Sequence, residues 1–169
     1  YASLAETALG KALNAVRLHL VVKYIKKSMF IDVGVGDGTL IRAAGASAFG
    51  YDVNPYTVSL MKRNNTYYDI YSKSSIPNAC FFDSLEHMLD CASIVERVGN
   101  YCIVTIPIFG SRSEVEKSKH FKKTEHYWYF TKDGLIRWFQ RRGFTLVEYN
   151  DIETQLGRES IGCFVFQRL

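Results

Sequence analysis

The chain has 169 residues, 47% hydrophobic, 14% aromatic and 22% charged, a balance that excludes a disordered or fibrous protein and suits one domain over 1–169 with a sizeable core. Its formal net charge of +4 falls short of the concentrated basic excess of a strong nucleic-acid binder. No apolar run reaches membrane-span length, no signal-peptide pattern is present, and Cys80, Cys91, Cys102 and Cys163 form no CxxC pair, so a reduced, cytoplasmic protein is expected. The chain starts at Tyr1 rather than Met, which leaves room for a preceding segment that the sequence does not show.

In chain order, residues 4–27 read as one helix within an N-terminal region 1–28, because Leu9, Leu13, Val16 and Leu20 recur at helical spacing. "MFIDV" (29–33) reads as a short buried strand, followed by a helix over about 39–46. "AFGYDV" (48–53) is a second strand. "NPYTVSLMKRNN" is a second helix, with Asn54 as cap and Pro55 in the first turn. Residues 66–78 are irregular. "NACFFDS" (78–84) is a third strand, followed by a loop and a helix over about 91–98. "YCIVTIPI" (101–108) is apolar almost throughout, as a strand buried on both faces must be. A polar, basic stretch covers 110–126. "TKDGLIRWFQRRGF" is a helix that Gly143 ends, and "FTLVEYND" and "SIGCFVFQRL" are two closing strands. Alternating strands and helices predict an α/β fold: a doubly wound, mostly parallel sheet with helices on both faces. The closing strands lack a helix between them and are expected to pair antiparallel.

"FIDVGVGDGTL" (30–40) places three glycines and two aspartates behind an apolar run. A strand entering a glycine-rich turn and then a helix is a nucleotide-binding corner. The spacing here is G-x-G-x-G after an acid, not the G-x-G-x-x-G of dinucleotide binders. Asp32 and Asp37 would repel a pyrophosphate but favour a cofactor carrying a sulfonium and an ammonium. Asp52, at the end of the second strand, lies where a carboxylate can accept hydrogen bonds from both ribose hydroxyls.

These motifs resemble the class I S-adenosylmethionine-dependent methyltransferases. "DVGVGDG" is similar to the family's first motif and "GYDVNP" to its second. "FFDSLEHMLD" (81–90) and "EHYWYFTKDGLIRWFQRRGF" (125–144) resemble the small-molecule branch, and the likeness covers roughly 30–166. The resemblance implies S-adenosylmethionine as cofactor, with S-adenosylhomocysteine as product. It implies a cofactor-binding half over 29–65 and a catalytic and substrate half over 78–169. Asp32, Gly34, Val35, Gly36 and Gly38 would cradle the methionine part, Asp52 the ribose, and Val53 and Asn54 the adenine, with Asp83 and Ser84 completing the cofactor site. Because 65–78 is short for a helix and a strand, the third strand of the family's sheet is expected to be reduced or absent.

Several residues keep two readings. Asp37 is a cofactor contact or a solvated loop residue. Asp83 acts near the cofactor or acceptor, or caps the loop after it. His87 is a general base, or one half of a Glu86–His87 pair that fixes its loop. His126 is the better base candidate, because its segment should vary with substrate. His19 reads as structural. No histidine pair has zinc-type spacing, so no metal is expected. "HYWYF" (126–130) should divide between core and pocket, with Tyr127 or Trp128 near the pocket. "KSKHFKK" (117–123) reads as a solvated face rather than an anion-binding patch.

The acceptor is constrained by what is missing. "DSLE" stands where methyltransferases of exocyclic DNA amines carry an Asn/Asp-Pro-Pro-aromatic turn, and "TIP" is followed by Ile108 rather than the Cys of cytosine-C5 enzymes. A methyl transfer to oxygen or nitrogen of a small molecule is therefore expected, with no membrane partner. The alternatives are an RNA or protein acceptor, or a catalytically inactive cofactor-binding partner subunit. The oligomeric state is not legible.

Overall fold

The strand Phe30–Val33 (β1) is buried along its whole length, and its neighbours on both sides run parallel to it. The computed structural model describes residues 2–169; Tyr1 lies outside the described residues. The other strands are β2 (Ala48–Tyr51), β3 (Ala79–Phe82), β4 (Tyr101–Pro107), β5 (Phe144–Asn150) and β6 (Ile161–Arg168). They form one sheet in the order β2-β1-β3-β4-β6-β5. β2, β1, β3 and β4 are parallel, while β6 is antiparallel to both β4 and β5. The doubly wound, mostly parallel sheet with an antiparallel last strand is the fold expected from the residues.

The apolar runs separate into two cores by the period-two alternation of strands. Ile31, Val33, Phe81, Cys102, Val104, Ile106, Phe164 and Phe166 face one side, with Ile94, Val95, Leu135 and Phe139. Those four come from α5 (Cys91–Val95) and α7 (Lys132–Gln140). Phe30, Cys80, Phe82, Ile103, Cys163 and Val165 face the other, with Leu20, Leu40, Ile41 and Met61. These belong to α2 (Ala8–Leu20), α3 (Thr39–Ala44) and α4 (Pro55–Arg63). All four cysteines are buried and free, which removes them from the surface chemistry of the chain.

Three expectations need correction. The helix expected over 4–27 is divided. After α1 (Ala2–Ala5), Thr7 is extended (ψ 161°) and its side chain accepts from the Gly10 N–H, so a new helix starts there; a π-helical turn, Val21–Ile25, follows α2. The basic stretch 110–126 holds α6 (Arg112–Lys117), capped by Ser111. Between the closing strands lies α8 (Ile152–Gln155). Beyond β2 the residues 66–78 contribute one isolated parallel bridge, Gly50 to Tyr67, the reduced third strand that the short segment led us to expect.

Candidate functional site

Near the end of β1 lies Asp32, 3% exposed, whose Oδ1 is buried without a hydrogen-bond partner. Burial, partly opposed by Arg17 and reinforced by Asp52 and Asp37, pushes its carboxyl up to about 7. The chain then turns through Gly34, Gly36 and Gly38, with φ of 89°, 60° and 77°, a region that side chains with a Cβ enter at a cost. The Gly34 N–H donates to the Tyr51 carbonyl at 2.8 Å, which joins the ends of β1 and β2. Val35 points into the core between Leu40, Ile41 and Met61. Asp52 sits over the turn: its Oδ2 accepts from the Gly36 N–H at 3.0 Å and its Oδ1 from the Asn54 N–H at 2.8 Å. Asn54 caps α4 by accepting from the Tyr56 N–H, and Val53 stands open at 82% exposure. Asp37 accepts from the Thr39 N–H at 2.9 Å, a local turn bond. A cavity of about 570 Å³ opens on the α3–α4 side of the turn, lined by Val35, Gly36, Gly38, Arg42, Asn54 and Thr57 among others.

The glycines are not equivalent. A Cβ on Gly34 would lie 2.6 Å from the Ser84 Cβ, whereas one on Gly36 meets no atom within 4 Å. Gly34→Ala is therefore expected to lose about 2 kcal/mol or more, from left-handed strain plus overpacking. Gly36→Ala should lose only about 1 kcal/mol, the strain alone. Urea midpoints of the two variants check this order.

Across the sheet from the turn, Asp83 follows β3 with a φ of 57°. Its carboxylate is held by Arg17 Nη2 at 2.7 Å and Arg158 Nη1 at 2.8 Å. The same arginines grip Glu153, at 2.7 and 2.6 Å, and Glu153 is fully buried. Burial alone would lower the Arg17 pKa, but Asp83 and Glu153 outweigh it and raise it above the ordinary guanidinium range. Sequence reasoning singled out Asp83 and missed its two partners, Arg17 of α2 and Arg158, and the Glu153 that they share.

Ser84 is buried and its Oγ donates to the Val33 carbonyl, which ties the end of β3 to the end of β1. The 3₁₀ turn Leu85–His87 follows. Glu86 is 2% exposed, with Oε2 buried and without a partner; burial, with the nearby Asp83, pushes its carboxyl up to about 8. His87 Nδ1 lies 2.9 Å from the Glu125 carbonyl oxygen. The rings of His87 and His126 meet edge-on with centroids 4.4 Å apart, and His126 is buried. Burial and the adjacent His87 lower the His126 pKa to about 4, so its imidazole is neutral at pH 7. Two further bonds join these segments: the Tyr127 N–H donates to the Glu86 carbonyl and Trp128 Nε1 to the Met88 carbonyl, both at 2.8 Å. Donor atoms of Glu86, His87 and His126 lie within 4.8 Å of one another. The spacing argument against a metal did not foresee this grouping, because its third member comes from a distant loop.

The aromatic run divides by burial: Tyr127 is exposed, Trp128 and Tyr129 are half-buried and Phe130 is buried. Within the basic run, Lys119 pairs with Glu159 and Lys122 with Glu125. No helix of the described residues is long and apolar enough to cross a membrane.

A family model described as a methyltransferase domain matches residues 10–149. Among solved structures, the magnesium protoporphyrin IX methyltransferase of Synechocystis PCC 6803, with S-adenosylhomocysteine bound, superposes with a TM-score of 0.66 at 11% identity, covering 95% of this chain and 84% of that one. An S-adenosylmethionine-dependent methyltransferase from Mesorhizobium loti gives 0.66 at 16% identity, covering 98% and 100%. The [4+2]-cyclase SpnF gives 0.69 at 12% identity, covering 97% and 83%. A search of curated proteins found no match. At these identities the superpositions speak for the fold, and a cyclase among them makes clear that the fold alone does not choose the reaction.

Proposed function

The chain belongs to the methyltransferase-domain family, and from that premise we propose that it moves a methyl group from S-adenosylmethionine to an oxygen or nitrogen of a small-molecule acceptor. The observation that carries this reading is the partnerless Asp32 Oδ1 beneath the glycine turn. A buried carboxylate oxygen with nothing to accept from is costly, and a cationic methionine moiety laid over Gly34, Gly36 and Gly38 would give it a partner.

The other residues fit the same cofactor. Each Asp52 oxygen takes one backbone N–H and keeps acceptor capacity for a ribose hydroxyl. Val53 and Asn54 would border the adenine, and Ser84 the inner wall. Asp83, saturated by two arginines, would act by holding the ion cluster rather than by touching the acceptor. The sulfonium supplies an already activated methyl; the chain's task is to align it and exclude water. The acceptor would approach at the carboxyl edge of the sheet, between the 83–87 turn and the 105–128 segment, where the Glu86–His87–His126 cluster deals with its proton. The pairing of lysines with Glu159 and Glu125 favours a small molecule over a nucleic-acid backbone.

The test is the pH dependence of S-adenosylhomocysteine binding, followed by calorimetry. The ammonium of the ligand favours ionised Asp32, and the free protein holds that proton up to about 7. Affinity should therefore be flat above pH 7 and fall by up to about tenfold per unit below it. Stability runs the other way. The folded pKa lies above the ordinary 3.8, so the unliganded fold gains relative stability as pH falls from 7 towards 4. Asp32→Asn should bind more weakly and lose the pH dependence. An affinity indifferent to both pH and this substitution would overturn the reading.

A further inference from the structure

We propose that Glu86, His87 and His126 form a binding site for one divalent first-row transition cation, of which zinc is the representative, at the acceptor side of the crevice. The donor atoms of the three side chains lie within 4.8 Å of one another, so one ion can reach them all. The set is two imidazoles and a carboxylate, a ligand set that suits zinc and its neighbours and leaves a position open for a further ligand. Magnesium and calcium, which want oxygen ligands, are poorly served by it.

The independent sign of a ligand is Glu86. The residue is 2% exposed, and its Oε2 is buried with no hydrogen-bond partner. Natural cores rarely leave a carboxylate oxygen so placed, and an ion is among the reasons they do. The surroundings are arranged as support for metal ligands is arranged. His87 Nδ1 lies 2.9 Å from the Glu125 carbonyl. With the proton on Nδ1, donated to that oxygen, Nε2 carries the lone pair a metal needs. Glu125 precedes His126, so the bond that orients one ligand also fixes the segment carrying the other. The Tyr127–Glu86 backbone bond and the Trp128–Met88 bond hold the two segments in register.

Binding of the ion stands on these residues alone; its role rests on the methyl-transfer reading. There the open position would take the acceptor's oxygen or nitrogen, make its proton easier to lose and hold the nucleophilic atom in place. Such a site would select acceptors with a coordinating group at the methylated position.

The experiment uses the full chain, treated with a chelator and dialysed, titrated with Zn²⁺ alone by calorimetry. One equivalent should bind, and a large excess of Mg²⁺ should not compete. Glu86→Gln, His87→Ala and His126→Ala should each weaken binding at least about tenfold, while His120→Ala should leave it unchanged. The wild-type chain gives a second readout should a variant fail to fold: Zn²⁺ should shift the ring ¹⁵N signals of His87 and His126 and leave those of His19 and His120 in place. Absence of binding, binding unaffected by Glu86→Gln and His126→Ala, or shifts confined to His19 and His120 would overturn the site. Calorimetry with S-adenosylhomocysteine on the same sample separates the two claims. Zinc binding without S-adenosylhomocysteine binding would sustain the site and overturn the methyl-transfer reading.

Discussion

Glu153→Ala is expected to lose about 3–5 kcal/mol of folding free energy, the typical cost of breaking a buried ion pair from one side. Glu153 is fully buried and its two oxygens bond Arg17 Nε and Arg158 Nη1. Both guanidiniums are mostly withdrawn from water, with side-chain exposures of 15% and 20%. Removing Glu153 leaves two cations facing each other with one carboxylate, Asp83, between them. The loss comes from that uncompensated charge, because the attraction in the intact cluster is largely offset by desolvation. Two controls follow. Glu153→Gln keeps the hydrogen-bonding shape but not the charge and should still lose most of the stability. A combined Arg17→Met, Glu153→Leu, Arg158→Met variant removes the mismatch and should recover a large part of it. Urea unfolding measures all three. A Glu153→Ala variant within about 1 kcal/mol of wild type would mean that water reaches the cluster and screens it, as it does in surface pairs.

The cluster also shows where sequence reading stops. The strands β1 and β4 were legible because burial on both faces leaves an uninterrupted apolar run, and few other structures produce one in so few residues. The glycine turn was legible because a positive φ at Gly34, Gly36 and Gly38 restricts the residue type at each position. Asn54 and Thr131, which accept from N–H groups two and three residues on, signal helix starts through local chemistry. α6 carried the same kind of signal: Ser111 accepts from the Glu114 N–H, and Glu114 Oε2 accepts from the Gly110 N–H. The charge of the surrounding segment hid it. Arg17, Asp83, Glu153 and Arg158 obey no such local rule. Glu153 and Arg158 lie five residues apart, but the other contacts span 66 and 136 residues for Arg17 and 75 for Arg158 with Asp83, and the completed topology brings them together. The same holds for Glu86 and His87 with His126: the adjacent pair was visible, but the third member arrives through the loop before α7. Asp32 lies between these cases. Its place at the end of the strand was readable, yet the partnerless oxygen that gives the site its meaning is a fact of packing.

His126→Ala should lower kcat by roughly 100- to 10,000-fold, the span over which loss of a group that handles a proton is felt. On the methyl-transfer reading, an acceptor hydroxyl or amine has a proton to lose, and nothing in the glycine turn or the Asp52 pocket provides for that. His126 is buried against His87 on the segment expected to face the acceptor. Burial and the adjacent His87 lower its pKa to about 4, so the imidazole is neutral at pH 7, the form that can take a proton or ligate an ion. The cofactor contacts proposed for Asp32, Asp52 and the glycines do not involve His126, so affinity for S-adenosylhomocysteine should stay within about twofold of wild type, well under the 1.4 kcal/mol that a tenfold change represents. His87→Ala should behave differently. Its bond to the Glu125 carbonyl ties the 84–87 turn in place, and that turn begins at Ser84, against which Gly34 is packed. Loosening it should weaken S-adenosylhomocysteine binding and cost about 1 kcal/mol of stability, the net worth of one hydrogen bond. Calorimetry and thermal unfolding need no acceptor, so this half of the comparison can be made first. The assignment fails if His126→Ala weakens S-adenosylhomocysteine binding as much as His87→Ala does, or if it leaves kcat within about tenfold of wild type, since either result would place His126 among the residues that only hold the loop together.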